Sequence, residues 1–464
     1  MMAERAINKQ DLFANVPIPK ALFTMAVPTI ISQLINLVYN MVDAFFIGRT
    51  GNSYMMAATT LTLTLGLMNV AFSNLYGTGG GSLVARLMGV DRLDEARHVS
   101  AFSLYGAVGL AIFYSAVVGL FLDPILDFLG ASEATIGYAR SYATIVVVIG
   151  TLPTLLSLVL AHLLRNTGHS GKASAGLSIG GLLNVALDPL FMFVIMPRGQ
   201  EVTGAAIATL ISNIVSFIYL FFAYRKASAD APLSCSFSDA RAVERQSIRS
   251  VYRVGVPSAL LTGLFDLANI CVNMISAAHN DLVLAGMGIV MKLERLPNAV
   301  NVGICQGMLP IVAFNYSSGD HERMNGVINT ARRVGLLVSA ICIVLFEIFA
   351  KQVSGVFLST AKEDPEAAIM TLGYAALFLR IRCLASPVQF LNYNSSFCMQ
   401  AMGNGKGTLL HAFVRELVFY IPLMFILDRI FGEVGLAAAL PIGETLGAIF
   451  AVYLLRSWLK KKKA

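Results

Sequence analysis

The sequence predicts an all-α polytopic membrane protein whose twelve transmembrane helices form two six-helix lobes, related by a pseudo-two-fold axis along the membrane normal. Three observations carry this: bulk composition, twelve long apolar runs, and an internal repeat. Of 464 residues, 56% are apolar and only 13% charged. Ordinary soluble domains hold about 45–50% and about 25%. That excess, with a mean hydropathy of +0.70, excludes a disordered chain, a coiled coil, a nucleic-acid-binding module and an ordinary cytosolic enzyme.

A helix needs about 20 mostly apolar residues to cross about 30 Å of hydrocarbon. Reading forward, such runs fall at 22–48, 54–86, 97–122, 136–164, 172–196 and 203–224, and then at 254–278, 282–315, 330–350, 370–402, 408–431 and 434–456. They are too long, and alternate too little, for barrel strands of roughly 10 residues. Lys and Arg set the orientation. With both termini inside, 23 of the 34 basic residues fall on the inner side and 5 on the outer side (Arg49, Arg198, Lys351, Lys362, Arg429). The other six, Arg140, Lys292, Arg295, Arg380, Arg382 and Arg415, lie within spans. The expected arrangement is a cytoplasmic segment 1–21, an N-lobe 22–224, a cytoplasmic linker 225–253, a C-lobe 254–456 and a basic tail 457–464 ending in Lys460–Lys463. Residues 1–20 carry no short apolar stretch of the kind that marks a secretory leader. The net charge of +7 sits in clusters between apolar runs, which suits an anionic inner leaflet rather than nucleic acid. Six Cys, five of them inside apolar runs, make neither a disulfide framework nor a metal-ligand pattern.

The two halves repeat. Ala26-Val27-Pro28-Thr29 opens the first run and Gly255-Val256-Pro257-Ser258 the seventh, 229 positions later. Asp91 answers Asp320, Asp188-Pro189-Leu190-Phe191 answers Ile421-Pro422-Leu423-Met424, and Val202-Thr203-Gly204 answers Val434-Gly435-Leu436. An even number of spans per half gives both halves one orientation, the geometry of parallel transporter repeats with the substrate site between them. Pro28, Pro153, Pro257, Pro297, Pro387 and Pro422 read as helix-interior prolines that permit bending, with Pro28 and Pro257 as the hinge candidates.

Carboxylates at mid-bilayer cost about 2.5–3.5 kcal/mol on insertion scales and normally face a bundle interior or a water cavity. Asp43, Asp188, Asp266, Glu294, Glu416 and Glu444 all fall inside spans. Asn184 lies one helical turn before Asp188, so amide and carboxylate share a face. Set against Asp43, that pair suits a proton or a small hard cation. Glu294, beside Lys292 and Arg295, and Glu416, beside Arg415, read as structural ion-pair members rather than carriers of a coupling ion. Gly176-Leu177-Ser178-Ile179-Gly180 matches a hydrolase G-x-S-x-G pattern, but it lies in a helical run where small residues at four-residue spacing serve close packing. Gly77–Gly81 lacks the Gly-Lys-Ser/Thr of a phosphate loop, so transport is expected to draw on an ion gradient rather than ATP. No enzyme activity and no cofactor are expected.

The chain resembles the multidrug and toxic compound extrusion (MATE) family in Val27-Pro28-Thr29-Ile30-Ile31-Ser32-Gln33-Leu34, in Tyr39-Asn40-Met41-Val42-Asp43 and in Phe46-Ile47-Gly48-Arg49. Gly79–Arg86, Arg165-Asn166-Thr167-Gly168, Pro310–Tyr316 and Arg415-Glu416-Leu417 add to it. These pieces are similar to the bacterial DinF-like and MepA-like branch. The resemblance implies a V-shaped pair of lobes, working as a monomer in the bacterial cytoplasmic membrane, that exports organic cations or amphipathic drugs in exchange for H⁺ or Na⁺. It also implies a coupling site at Asp43, Asn184 and Asp188, joined by Thr209 on the sixth helix and Tyr142 on the fourth. Asp266, nine residues after Pro257, matches a C-lobe acid of NorM-like members, while their tenth-helix Asp has no counterpart around Pro387–Tyr393. Glu294, Glu416 and Glu444 complete the C-lobe candidates. A lipid-linked oligosaccharide flippase of the wider superfamily is the alternative, resting on a basic cavity built from Lys292, Arg295, Arg380, Arg382 and Arg415.

Overall fold

A computed structural model describes residues 9–357 and 365–463. Arg5, Lys362 and the side chains of Lys9 and Lys460–Lys463, all counted in the charge bias, lie outside the described set. Among the described residues every regular element is helical. A short helix, Lys9–Ala14, precedes the first span, Ile18–Arg49. The second span, Ser53–Gly89, carries a π-helical turn at Asn74–Thr78. Then come Leu93–Leu120, a fourth span of two helices (Ile136–Ile149 and Thr151–Asn166) bent by 47°, Ser170–Ile195 and Glu201–Ala227. The second half runs through Arg245–His279, Asp281–Ser318 and His321–Gly355, and its tenth span, Glu366–Cys383 with Ser386–Ala401, is bent by 49°.

The final element, Gly405–Trp458, is 54 residues long. At about 1.5 Å per residue it would measure about 80 Å, more than twice a bilayer core. It breaks at Gly432, whose φ of 61° and ψ of −146° lie near a region essentially reserved for glycine. The break separates the eleventh and twelfth spans. Twelve crossings result among the described residues.

The repeat is visible in the backbone as well as in the sequence. Both fourth-position spans are bent, and by nearly the same angle. Pro153 and Pro387 correct the expectation of interior prolines: each sits in the first turn of the helix that follows the bend, Thr151–Asn166 and Ser386–Ala401. A proline there costs no helical hydrogen bond, because the first N–H groups have no intrahelical acceptor. Pro28 and Pro257 do lie within continuous helices. Helix also takes up both edges of the polar stretch 225–253, since the sixth span runs to Ala227 and the seventh starts at Arg245.

The lobes share one apolar core at the end that carries the termini. There Leu22, Met25 and Val84 of the first half cluster with Met308, Ile311 and Met399 of the second. At the opposite end the cores are separate: Val272, Met287 and Phe378 within the C-lobe, and Ile47, Met192 and Ala205 within the N-lobe. Glycines bring the backbones together across the shared end. A Cβ on Gly255 would lie 2.0 Å from the Leu75 carbonyl oxygen, and one on Gly307 would lie 2.6 Å from Ala26 Cα. Gly255→Ala is therefore expected to cost about 1–3 kcal/mol through overpacking, read as a fall in melting temperature in detergent. An unchanged melting temperature would mean the seam yields without loss. The glycines of the G-x-S-x-G stretch serve packing too, Gly176 against Leu220 and Gly180 against Ser216.

Candidate coupling site in the N-lobe

The first span presents Ser32, Gln33, Asn36, Tyr39, Asn40 and Asp43 to a cavity of about 290 Å³ inside the N-lobe. These positions recur at three- and four-residue steps, which places them along one helical stripe. Asn69 from the second span, Tyr142 and Thr154 from the fourth, Asn184 from the fifth, and Thr209 and Asn213 from the sixth complete the wall. Asn213 donates to Thr154 Oγ1 at 2.8 Å.

Behind this wall Asp188 is fully buried. Asn184 Nδ2 donates to Asp188 Oδ1 and to Thr209 Oγ1, both at 3.2 Å. One amide thus ties the fifth span to the sixth and aims the carboxylate. Asp43 and Asp188 lie within electrostatic reach of each other, and the hydroxyls of Tyr39 and Tyr142 lie within reach of both. All five residues named for this site from the sequence stand together in the fold. Among the described residues no Lys, Arg or His makes an ion pair with either aspartate. Three buried oxygens, Asp43 Oδ1, Asn184 Oδ1 and Asp188 Oδ2, have no hydrogen-bond partner. Unsatisfied buried acceptors cost about 1–3 kcal/mol each, and more when charged. Here they group on two acids and an amide, and among the described residues no cationic side chain is paired with them.

The C-lobe acids are arranged in the opposite way. Arg382 Nε and Nη2 donate to the two oxygens of Glu294, both at 2.8 Å. Glu294 is thus a member of an ion pair. Helix positions one or two apart point in different directions, so the partner comes from another span. Arg415 binds Glu444 in the same two-pronged manner, at 2.9 and 2.5 Å, and stands 3.5 Å from Glu416. Asn392 Nδ2 donates to Glu444 Oε2 at 2.6 Å and Gln389 to Oε1 at 3.3 Å. Asp266 stands apart from these pairs, within electrostatic reach of Arg295. None of these four acids lines the N-lobe cavity. Arg382 and Arg415 are neutralised where they lie, and Arg380 faces Glu347 at 3.8 Å.

A profile described as MatE matches residues 28–190 and 257–426, most of the chain and both halves of the repeat. The chain belongs to the MatE family. It is therefore a transporter and not an enzyme. Two curated relatives are multidrug export proteins called MepA. The one from Staphylococcus saprophyticus is 27% identical over 97% of both chains, and the one from Staphylococcus haemolyticus 28% identical over 97% of both. A crystal structure of a MATE in complex with MaL6 superposes with a TM-score of 0.91 at 21% identity, covering 98% of this chain and 99% of the other. The two-lobe, twelve-helix architecture of this MatE protein is thus that of solved MATE transporters.

Proposed function

We propose that this MatE protein is a secondary active multidrug exporter of the cytoplasmic membrane, working as a monomer, that exchanges H⁺ or Na⁺ for organic cations or amphipathic drugs. The observation that carries the reading is the Asp43–Asn184–Asp188 group: three unpartnered buried oxygens against a cavity, with no cationic side chain among the described residues paired to either acid. An empty, negatively charged pocket attracts a cationic substrate, and a proton or Na⁺ taken up there cancels that attraction. The two cargoes then compete for one charge, which is the requirement for exchange.

The first span connects the site to the lobes. Asp43 lies toward its far end, whereas Ala26 and Ile30, on either side of Pro28, press against Gly307 and Gly303 of the eighth span. Ser170 Oγ donates to the Met25 carbonyl at 2.6 Å and lies 3.1 Å from Thr29 Oγ1, which ties the bend region to the fifth span that carries Asp188. Ion uptake at Asp43 and Asp188 thus acts on a helix with a weak point at the lobe seam. With the termini inside, the shared core closes the cytoplasmic face and the separated cores leave the cavity open to the outside. The relatives' name, Multidrug export protein, supports the choice of substrates. The flippase reading rests on a basic cavity built from five cations, and three of them, Arg380, Arg382 and Arg415, face glutamates.

The test is ethidium efflux from proteoliposomes with pH and Na⁺ gradients applied separately. At least one gradient is expected to drive efflux and to be dissipated by it. Efflux that ignores both gradients would overturn the exchange reading.

A further inference from the structure

The end of the bundle that carries the termini is closed by two side-chain clasps as well as by its apolar core. Arg86, at the end of the second span, reaches across the seam and donates through Nη1 to the carbonyls of Ala401 at 2.9 Å and Gln400 at 3.3 Å. These carbonyls belong to the last turn of the tenth span, where the helix end is partly negative; the Gln400 carbonyl also accepts from the Gly403 N–H at 3.1 Å. Gly403 lies over the guanidinium with φ of +75°, and a Cβ there would stand 3.2 Å from Arg86 Cζ. Ser317 of the eighth span closes the contact by donating to the Arg86 carbonyl at 2.6 Å.

The second clasp runs the other way. The Lys9–Ala14 helix precedes the N-lobe in the chain but docks on the C-lobe: Phe13 is fully buried, its ring 5.7 Å from that of Phe314. The Phe13 carbonyl would accept from the residue four positions on, but that residue is Pro17, which has no N–H. Asn315 Nδ2 and Arg323 Nε supply the donors instead, at 3.0 and 2.7 Å, and Arg323 Nη2 also donates to the Val16 carbonyl. Asn315 stands 229 positions after Arg86, which is the offset of the internal repeat. The same repeat position thus carries a donor in each half, Arg86 aimed at a helix end of the C-lobe and Asn315 at the end of the short helix that leads into the N-lobe. None of these bonds is an ion pair. Water can solvate both partners when they part, so the clasps suit an opening that must reverse every cycle.

We propose that Arg86 and Arg323 are positioning residues for transport: paired clasps that hold the lobes shut at the terminus-bearing end, both of which release before the path opens there. The inference rests on the alternating-access reading above. Its test is separate, because it needs neither substrate nor ion gradient. Spin labels on Asp94→Cys and Glu322→Cys, two exposed residues on opposite lobes, report the lobe separation by pulsed EPR in nanodiscs, with the six native cysteines replaced. Arg86→Gln and Arg323→Gln are each expected to raise the long-distance population at least fivefold, and the double variant further. Arg86→Lys is expected to restore most of the short-distance population, which general destabilisation would not do. Gly403→Ala, which crowds Arg86, and deletion of residues 1–14, which removes the Phe13 carbonyl, probe the same clasps if an arginine variant fails to fold. Distance distributions that stay as in the parent for the variants of both clasps overturn the proposal.

Discussion

Asp188→Asn is expected to lower ion-driven export at least 100-fold while leaving the protein as stable as the parent or more so. The two effects have one cause. Asp188 is fully buried, one of its oxygens is unpartnered, and its other bond comes from the neutral amide of Asn184. A buried charge without a counter-charge costs several kcal/mol, and asparagine of the same shape removes that cost. The same change removes one of the two carboxylates proposed to take up and surrender a positive ion. Asp43→Asn is expected to follow the pattern. Thr209→Ala, which removes one hydrogen-bond acceptor from Asn184, is expected to lower the rate severalfold and no more. The readout is ethidium efflux under imposed gradients together with melting temperature in detergent. Wild-type efflux in both Asp→Asn variants would reject the site. Lost efflux with a sharp fall in melting temperature would make these acids structural rather than coupling groups.

How much of this was legible beforehand follows from the range of the interactions. The spans could be read because length and apolarity are local, and the bilayer imposes the same length on every crossing. Even the last break was visible, since Gly432-Glu433 interrupts one apolar run in sequence and in backbone. The Asn184–Asp188 pair was legible for the same reason, both groups sharing one helix face. The stripe of Ser32, Gln33, Asn36, Tyr39 and Asn40 leading to Asp43 was missed. Its three- and four-residue steps are in the sequence, but neutral polar side chains carry no charge to set them apart within an apolar run. Partners on other spans were beyond reach. Nothing near Glu294 points to Arg382, 88 positions away. The Lys9–Ala14 helix read only as a polar lead-in, because its buried face, Leu12 and Phe13, is too short to show a period.

The largest expected loss of stability lies in the other lobe. Arg415→Gln is expected to cost about 3–5 kcal/mol, the range for stranding one member of a buried ion pair. Arg415 and Glu444 are both buried and joined by two hydrogen bonds, with Glu416 at 3.5 Å. Removing the cation strands two carboxylates in the same apolar interior. Asn392 and Gln389 then hold Glu444 in place with amide donors alone, too little to replace a guanidinium. Arg415→Gln combined with Glu444→Gln removes opposite charges together and is expected to melt above the single Arg415→Gln variant, which is the sign of direct coupling between contacting residues. Arg140 and Asp123 provide the control. Their geometry is as good, at 2.8 and 2.9 Å, but both are half exposed, so breaking them is expected to cost about 0.2–1 kcal/mol. If the double variant melts below the single, the charges are not what holds this part of the lobe. If Glu444→Gln also abolishes the ion dependence of export while the protein stays folded, the C-lobe network is part of the coupling machinery. The contrast between a compensated C-lobe and an uncompensated N-lobe, on which the assignment of Asp43 and Asp188 depends, would then be lost.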